Sequence, residues 1–338
     1  MRLNTKADRL MYQTNFHRKD ISSSTFLITG GAGFIGSNIL EYLITFGAKK
    51  VKVLDNLSTG DHKNLERFIG LENVEFIEGD ISNYDHCLQA TQGVDYLSHQ
   101  AALGSVPRSI KDPIATNNAN VVGFLNVITA ARENKVKRIV YASSSSVYGD
   151  SPTLPKSEDA IGKPLSPYAV SKYTNELYAA VAHKNYGQEI IGLRYFNVFG
   201  PNQSPEGAYA AVIPLFVEAL LENKAPFING DGQQSRDFTF VENAVQANIK
   251  ALFTEKPEAL GEVFNVAVGE RFTLIDLFEA IKEKTGATVA AVHREERAGD
   301  IKNSLADISK AAKWLNYQPQ VRFREGLDKT IDWFKANR

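Results

Sequence analysis

From residue 25 onward, the hydrophobic positions alternate between short continuous apolar runs and longer segments with helical spacing. Residues 35–46 and 119–134 have the helical pattern, which predicts two helices. Strands are predicted in the runs TFLIT (25–29), KVKVLD (50–55), VEFIE (74–78), VDYLSH (94–99), RIVYAS (138–143) and EIIGLRYF (189–196). Continuous apolar strands interleaved with helices are typical of a parallel sheet covered on both faces. We therefore expect an α/β fold built on a doubly wound parallel sheet.

The pattern changes after residue 196 and predicts a smaller α/β domain that interleaves with the first. This half has loops rich in Pro, Gly and Asn at 200–209 and 228–238, a strand within 262–270, and helical patterns at 274–284, 307–315 and 325–335. The predicted division is 25–196 for the first domain and mainly 197–338 for the second, with parts of about 238–268 returning to the first sheet. Residues 1–24 form a predicted N-terminal arm, helical or frayed, that touches a partner subunit.

Composition excludes several classes of partner and site. Lys plus Arg number 38 against 39 Asp plus Glu, so the formal net charge of −1 favours neither nucleic acid nor an anionic membrane as a partner. The single cysteine, Cys87, excludes an intrachain disulfide and a cysteine zinc site, and the six histidines form no close-spaced ligand pair, so no metal is expected. Since no secretory signal or membrane-spanning apolar run is visible, a cytoplasmic location is expected.

The strongest local signal is a glycine-rich turn between the first strand and the helix that follows it. The segment TFLITGGAGFIGSNIL (25–40) has glycines that permit positive φ and let backbone amides approach a pyrophosphate at the helix N-terminus. The next strand ends in Asp55, whose carboxylate can accept both hydroxyls of an adenosine ribose and would repel a 2′-phosphate. A triphosphate P-loop is excluded because Ser37 stands where that motif needs lysine. These features predict a Rossmann-type domain that binds NAD rather than NADP.

Two further segments carry candidate catalytic chemistry. Tyr168 and Lys172 are four residues apart in SPYAVSKYTNEL (166–177), so on a helix they lie on one face. A tyrosine, with an ordinary pKa of about 10, becomes a useful base when a nearby ammonium and a positive nicotinamide stabilise its phenolate. The predicted strand 138–143 leads into four consecutive serines (143–146), which can offer a hydroxyl to a reacting oxygen.

Five ordered motifs together resemble the extended short-chain dehydrogenase/reductase family, and most closely its UDP-sugar 4-epimerases. They are TGGAGFIG (29–36), HQAA (99–102), SSSSVYGD (143–150), YAVSK (168–172) and LRYFNVFGP (193–201), and the resemblance extends from residue 25 to the C-terminus. It implies that Tyr168 is the catalytic base, that Lys172 orients it and binds the nicotinamide ribose, and that Ser144 is the catalytic hydroxyl. A homodimer that pairs through helices at 115–134 and 168–185 is also implied.

The same resemblance implies a cofactor site and a substrate site. The implied NAD contacts are Gly30, Gly33, Phe34, Ile35, Gly36, Asp55, Asn56, Asp80, Ile81, Ala101, Asn120, Tyr168 and Lys172. The implied substrate contacts are Ser105, Ser144, Ser145, Tyr168, Asn197, Gln203, Arg236, Arg297, Asp300 and Ser304. Within that set the two arginines would bind the diphosphate, Asp300 would bind the nucleotide ribose, and Ser105 and Gln203 would contact the sugar.

The resemblance also has implications for the reaction. Members of the family that this chain resembles begin by oxidising sugar C4. Those that then eliminate water have an Asp-Glu pair directly after the residue with the catalytic hydroxyl. Ser145 and Ser146 stand there in this chain, so the implied outcome is 4-epimerisation. The segments 104–110 and 207–214 resemble the subgroup for N-acetylated sugars, and Ser304 replaces a bulky tyrosine, which implies conversion of UDP-GlcNAc to UDP-GalNAc. Epimerases of the uronates UDP-GlcNAcA and UDP-GalNAcA or of UDP-glucose, a dehydratase or decarboxylase, and a non-catalytic NAD sensor remain alternatives.

Overall fold

The computed structural model describes residues 11–206, 210–296 and 302–337. Its strands are β1 (Thr25–Thr29), β2 (Lys50–Asp55), β3 (Val74–Glu78), β4 (Tyr96–His99), β5 (Arg138–Ser144), β6 (Ile190–Tyr195), β7 (Val198–Phe199), β8 (Phe227–Asn229), β9 (Ser235–Arg236), β10 (Thr239–Phe240), β11 (Val263–Val266), β12 (Phe272–Thr273) and β13 (Val292–Arg294). Its helices are α1 (Phe34–Thr45), α2 (Tyr84–Thr91), α3 (Val106–Lys111), α4 (Pro113–Asn117), α5 (Gly123–Glu133), α6 (Pro167–Tyr186), α7 (Val212–Leu221), α8 (Val241–Phe253), α9 (Leu274–Thr285), α10 (Ser309–Leu315) and α11 (Phe323–Ala336).

A seven-stranded parallel sheet organises the described part of the chain, with strand order β11-β6-β5-β4-β1-β2-β3. The chain leaves β1 toward β2 and β3 on one side and toward β4, β5 and β6 on the other. The carboxyl ends of β1 and β4 therefore flank the point where the winding direction reverses, which is where such sheets bind ligands. The predicted Rossmann-like α/β fold is confirmed.

Helices cover both faces of this sheet, as the continuous apolar strands require. One core lies where α1 and α8 pack together over the strands, and it contains Ile28, Val53 and Leu193. The opposite core lies under α2, α5 and α6 and contains Leu27 and Tyr141. Because successive strand residues face opposite sides, Leu27 and Ile28 enter different cores.

The second half of the chain builds a smaller layer around an aromatic core and also returns to the main sheet. Helices α7, α9 and α11 surround buried Phe199, Phe238, Phe240 and Phe323, with three two-stranded ladders (β10 with β7, β12 with β9, β13 with β8) beside them. Strand β11 joins the main sheet next to β6, with Phe264 opposite Leu193. The second half of the chain therefore contributes a strand to the main sheet.

Residues 11–24, the described part of the N-terminal arm, contain no helix and pack against their own chain. Tyr12, Phe16 and Ile21 are buried. The Phe16 ring stacks on Tyr42 of α1 with ring centroids 5.3 Å apart, and the Phe16 amide donates a 2.7 Å hydrogen bond to the Tyr42 hydroxyl. The expectation of a helical or frayed arm is wrong for these residues, because Tyr12 and Phe16 pack against Tyr42 of α1 and Ile21 enters the same core.

Helix α4 and helix α5 are joined by a π-helical turn (Asn118–Val122), so the helix predicted at 119–134 begins earlier, at Pro113. Asp112 starts it by accepting a 2.9 Å hydrogen bond from the Ala115 amide. None of the helices in residues 11–206, 210–296 and 302–337 is long and apolar enough to cross a membrane.

Candidate functional site

A cavity of about 900 Å³ lies along the carboxyl edge of the main sheet. Its walls include residues at or just after the ends of five strands, namely Gly30, Asp55, Asp80, Gln100 and Ser144. Residues of the loops 103–105 and 197–206, of α3 and of the start of α6 also line the cavity. The cavity therefore occupies the position that strand order alone assigns to a ligand.

The glycine turn brings backbone unusually close to backbone at one end of the cavity. Gly30 has φ +71°, and a Cβ there would lie 2.6 Å from the Ala101 nitrogen. A Cβ on Gly36 would lie 2.2 Å from the Gly30 carbonyl oxygen, so α1 can sit tightly against the turn only with glycine at this position. The turn leads directly into α1 after Gly33, and the amides of the first helical turn are suited to bind an anion such as a pyrophosphate.

Two carboxylates at the ends of β2 and β3 provide acceptors beside the glycine turn. Asp55 accepts 2.9 Å hydrogen bonds from the amides of Ala32 and Leu57, one on each oxygen, and burial raises its pKa. Asp80 accepts a 2.9 Å hydrogen bond from the Asn56 side chain. Each carboxylate oxygen has a further lone pair. Acceptors at this position fit the ribose hydroxyls of NAD and disfavour a phosphate.

Helix α6 and strand β5 position the candidate catalytic residues at the other end of the cavity. Ser166 caps α6 by accepting a 3.1 Å hydrogen bond from the Ala169 amide, which places Tyr168 in the first helical turn. Lys172, one turn later, is buried, and its Nζ donates a 2.8 Å hydrogen bond to the Ala142 carbonyl. The Lys172 Nζ lies 5.9 Å from the centroid of the Tyr168 ring, and Ser144 and Tyr168 line the same cavity.

The electrostatics of this pair differ in part from the expectation. Burial raises the pKa of Tyr168, and the nearby Ser144 hydroxyl only partly offsets that rise, so the expected lowering does not hold for the protein by itself. The reason is that a buried phenolate loses its hydration. Burial also lowers the pKa of Lys172, to about 8, while the nearby Glu176 opposes that change. Lys172 therefore remains largely an ammonium at neutral pH.

The structure brings most of the predicted site residues into this one cavity. The predicted residues that line it are Gly30, Gly33, Phe34, Ile35, Gly36, Asp55, Asn56, Asp80, Ile81, Ala101, Ser105, Ser144, Tyr168, Lys172, Asn197 and Gln203. Asn120 does not line the cavity. Its Oδ1 accepts a 2.8 Å hydrogen bond from the Leu103 amide, and its Nδ2 donates a 3.0 Å hydrogen bond to the Ser171 hydroxyl. Ser145 begins a short 3-10 turn capped by Ser144 and does not line the cavity either.

The remaining predicted substrate residues belong to the second half of the chain. Ser304 and Arg236 both bond to the backbone of Ser235: the Ser304 amide donates to its carbonyl at 3.0 Å, and the Arg236 guanidinium donates to the same oxygen at 3.0 Å. They form a separate cluster that does not line the cavity described above. Arg297 and Asp300 lie outside the described residues.

Several lining residues were not predicted. The loop Ser58–Gly60 lies against the glycine turn, and a Cβ on Gly60 would be 2.9 Å from the Ala32 Cβ. Arg108 projects from α3, within a segment already noted for its resemblance to one subgroup. Tyr195 lines the floor and donates a 3.0 Å hydrogen bond to Gln100. The polar, glycine-containing sequence at 56–60 and the segment 104–110, which contains Arg108, offered a signal in advance.

Comparison with known proteins identifies the family. The profile of the NAD dependent epimerase/dehydratase family matches residues 26–267. The chain belongs to this family. NAD is accordingly the cofactor, and the glycine turn, Asp55 and the edge of the sheet fit it. Among the described residues, no group of three or more His, Cys, Asp or Glu side chains could hold a metal ion.

Individual members of the NAD dependent epimerase/dehydratase family are similar over nearly their whole length. The UDP-glucose 4-epimerase of Mycolicibacterium smegmatis is 37% identical over 91% of this chain and 98% of its own. The solved UDP-N-acetylglucosamine 4-epimerase of Methanobrevibacter ruminantium, in complex with UDP-N-acetylmuramic acid, is 40% identical with a TM-score of 0.88, covering 93% of this chain and 99% of that one. The Thermus thermophilus UDP-glucose 4-epimerase, solved with NAD, is 33% identical with a TM-score of 0.83, covering 93% and 100%.

Proposed function

We propose that the protein is an NAD-dependent UDP-sugar 4-epimerase whose substrates are UDP-GlcNAc and UDP-GalNAc. The observation that carries this proposal is the meeting of Ser144, Tyr168 and Lys172 in the cavity that also contains the glycine turn. The positions after Ser144 are serines, so the turn beside the catalytic hydroxyl offers no carboxylate to remove water or CO2. Similar proteins named UDP-sugar 4-epimerases support the same reaction.

The side chains divide the chemistry at sugar C4. When bound, NAD supplies a hydride acceptor that later returns the hydride. Tyr168 takes the proton from the C4 hydroxyl as the 4-keto sugar forms, and Ser144 donates a hydrogen bond to the same oxygen. Lys172, held by the Ala142 carbonyl, places an ammonium one helical turn from Tyr168, and this positive charge stabilises the phenolate when it forms. After the keto sugar turns over, Tyr168 returns the proton and the net redox change is zero.

The N-acetylated sugar is the finer part of the proposal. Gln203 lines the cavity, and its buried Oε1 has no hydrogen-bond partner among the described residues, so it can accept from an amide or hydroxyl of the substrate. Ser105 also lines the cavity. In this proposal residues 25–196 hold NAD, and 197–338 mainly hold the nucleotide sugar, with Arg236 and Arg297 at the diphosphate, Asp300 at the ribose and Ser304 leaving room for the acetamido group.

Product identification with a substrate panel tests the proposal. Purified protein is incubated separately with UDP-GlcNAc, UDP-glucose and UDP-GlcNAcA, and anomeric signals are followed by NMR. We expect the highest kcat/KM with UDP-GlcNAc. A preference for the uronate would instead assign Arg108 in the cavity wall to a substrate carboxylate. Loss of water or CO2, detected by mass spectrometry, would replace epimerisation with dehydration or decarboxylation.

We further propose a homodimer formed through α4 and α6. Ile114 on α4 is 73% exposed and Leu177 on α6 is 53% exposed, and Val170 and Val181 continue the α6 stripe at helical spacing. Leu177→Glu should give a monomer in sedimentation analysis, because it buries a charge in an apolar interface. Ile69→Glu, an equally exposed position elsewhere, is the control. An unchanged sedimentation coefficient for the Leu177 variant would contradict this interface.

A further inference from the structure

Three residues of α6, spaced four apart, contact three consecutive residues at the end of β5. Tyr168 is close enough to Ser144 for the Ser144 hydroxyl to lower the Tyr168 pKa, and the Lys172 Nζ donates a 2.8 Å hydrogen bond to the Ala142 carbonyl. Between these two strand residues, the Ser143 hydroxyl donates a 2.5 Å hydrogen bond to Oε1 of Glu176. The proposed mechanism uses the first two of these contacts and leaves the third without a role.

Glu176 is also held by a buried arginine on β6. The Nε of Arg194 donates to Glu176 Oε1 at 2.9 Å, and its second nitrogen donates to Oε2 at 2.7 Å. Arg194 is 1% exposed and Glu176 7% exposed. The guanidinium also donates to the Glu158 carbonyl at 2.8 Å and lies 4.9 Å above the Tyr148 ring. Both carboxylate oxygens are therefore fixed in direction one helical turn below Lys172.

A buried ion pair is not by itself a reason for stability, since desolvation offsets much of the attraction. A fixed carboxylate near a buried ammonium does have an electrostatic consequence. We propose that Glu176, held by Ser143 and Arg194, is a positioning residue that keeps Lys172 protonated and keeps α6 in register with the end of β5. This inference rests on the proposed function, because Glu176 is assigned a role in positioning the Tyr168/Lys172 pair.

The other ionisable groups around Lys172 do not take over this role. Burial, together with the charge of Lys172, lowers the pKa of His99 on β4 to about 3, so His99 is neutral at neutral pH. Tyr168 on α6 and Tyr141 on β5 have pKa values raised by burial and are neutral as well. Arg194 on β6 is positive, and Glu158 directs its carboxylate to the Asn265 amide. Glu176 is the anion that opposes the lowering of the Lys172 pKa.

The test is titration of Lys172 in the NAD-loaded Glu176→Gln variant. The amide keeps the size of the side chain and removes its charge. Lysine-labelled protein is titrated by ¹³C NMR, with Lys172→Arg assigning the signal, and the alkaline limb of kcat/KM is measured in parallel. We expect both the Lys172 midpoint and the alkaline limb to move down by about one pH unit.

Glu189→Gln is the matched control, because Glu189 forms a similar ion pair with Arg138 at the opposite end of β5. It should leave the Lys172 midpoint unchanged. Ser143→Ala, which keeps the charge of Glu176, should lower the rate at every pH without moving the limb. If Glu176→Gln fails to fold, Glu176→Gln combined with Arg194→Gln removes the unpaired charge and should shift the midpoint in the same direction.

The outcomes separate this inference from the proposed function. A Lys172 midpoint equal to wild type in a folded Glu176 variant would overturn the positioning role, whatever the activity. Absence of turnover with every UDP-sugar in wild type would overturn the proposed function, while the NMR titration would still report whether Glu176 controls the charge of Lys172.

Discussion

Gly36→Ala perturbs the closest backbone approach in the cofactor site. The added Cβ would lie 2.2 Å from the Gly30 carbonyl oxygen and 2.7 Å from the Gly31 Cα, and both of these atoms belong to backbone. No side-chain rotation relieves such a contact, so the start of α1 must retreat from the glycine turn by about 1 Å to reach ordinary van der Waals distance. The amides of α1 and of the glycine turn can then no longer donate hydrogen bonds to the same pyrophosphate.

The magnitude follows from the bonds that this shift weakens. Hydrogen bonds to a charged group contribute about 1.5–3 kcal/mol each, so weakening two of them should raise the Kd for NAD by about 100-fold or more. Overpacking at the same position should cost about 1–3 kcal/mol of folding stability. The two effects are distinct, because the first concerns the ligand and the second the protein alone.

Calorimetric titration of cofactor-stripped protein with NAD measures the first effect, and scanning calorimetry measures the second. Gly47→Ala is the control at the other end of α1: Gly47 has φ +77° and open space around its Cβ position, so alanine costs about 1–2 kcal/mol through backbone strain only. We expect it to destabilise the fold and leave the Kd for NAD unchanged. A Gly36→Ala protein that binds NAD as tightly as wild type would refute the assignment of the glycine turn.

Three further predictions concern the base, a buried carboxyl and the arm. Tyr168→Phe should lower turnover by about 1,000-fold or more while NAD stays bound, measured by product formation and cofactor content; a near-normal rate would refute the assigned base. Burial raises the pKa of Asp237 to about 6, so the folded state holds its proton more tightly than the unfolded state. Its contribution to stability, up to about 3 kcal/mol, is present below about pH 4 and is lost as pH rises to about 6; Asp237→Asn should remove this dependence in denaturant titrations, and an unchanged pH profile would contradict it. Phe16→Ala should lower the free energy of unfolding by about 3 kcal/mol with little change in kcat, and a loss below about 1 kcal/mol would contradict anchoring of the arm.

The sheet and the cofactor end of the site could be predicted because their sequence signals are local. Strand β1 coincides with the run 25–29 because all five of its residues are buried, and β2 ends at Asp55 as expected. The glycine turn is recognisable because backbone approach at Gly30 and Gly36 tolerates no side chain. In each case the residues that determine the local structure lie within one short segment of the sequence.

The parts that were not predicted depend on contacts between distant segments. Helix α8 is buried on nearly all sides although it contains several polar residues, and its Asn243 side chain donates a 2.7 Å hydrogen bond to the Val321 carbonyl. The anchoring of Phe16 depends on Tyr42, far along the chain, and could not be read from a polar arm sequence. Asn120 was predicted to contact the cofactor, but its amide is bound to Leu103. The raised pKa of Tyr168 follows from burial, which spacing along a helix does not reveal.

The central claim is that one active site removes hydride from sugar C4 and returns it to the opposite face. The most direct measurement uses UDP-GlcNAc carrying deuterium at C4, with the product analysed by NMR and mass spectrometry in ordinary water. We expect UDP-GalNAc that retains the deuterium at C4. UDP-GalNAc with hydrogen at C4, or no UDP-GalNAc from NAD-loaded protein, would contradict it.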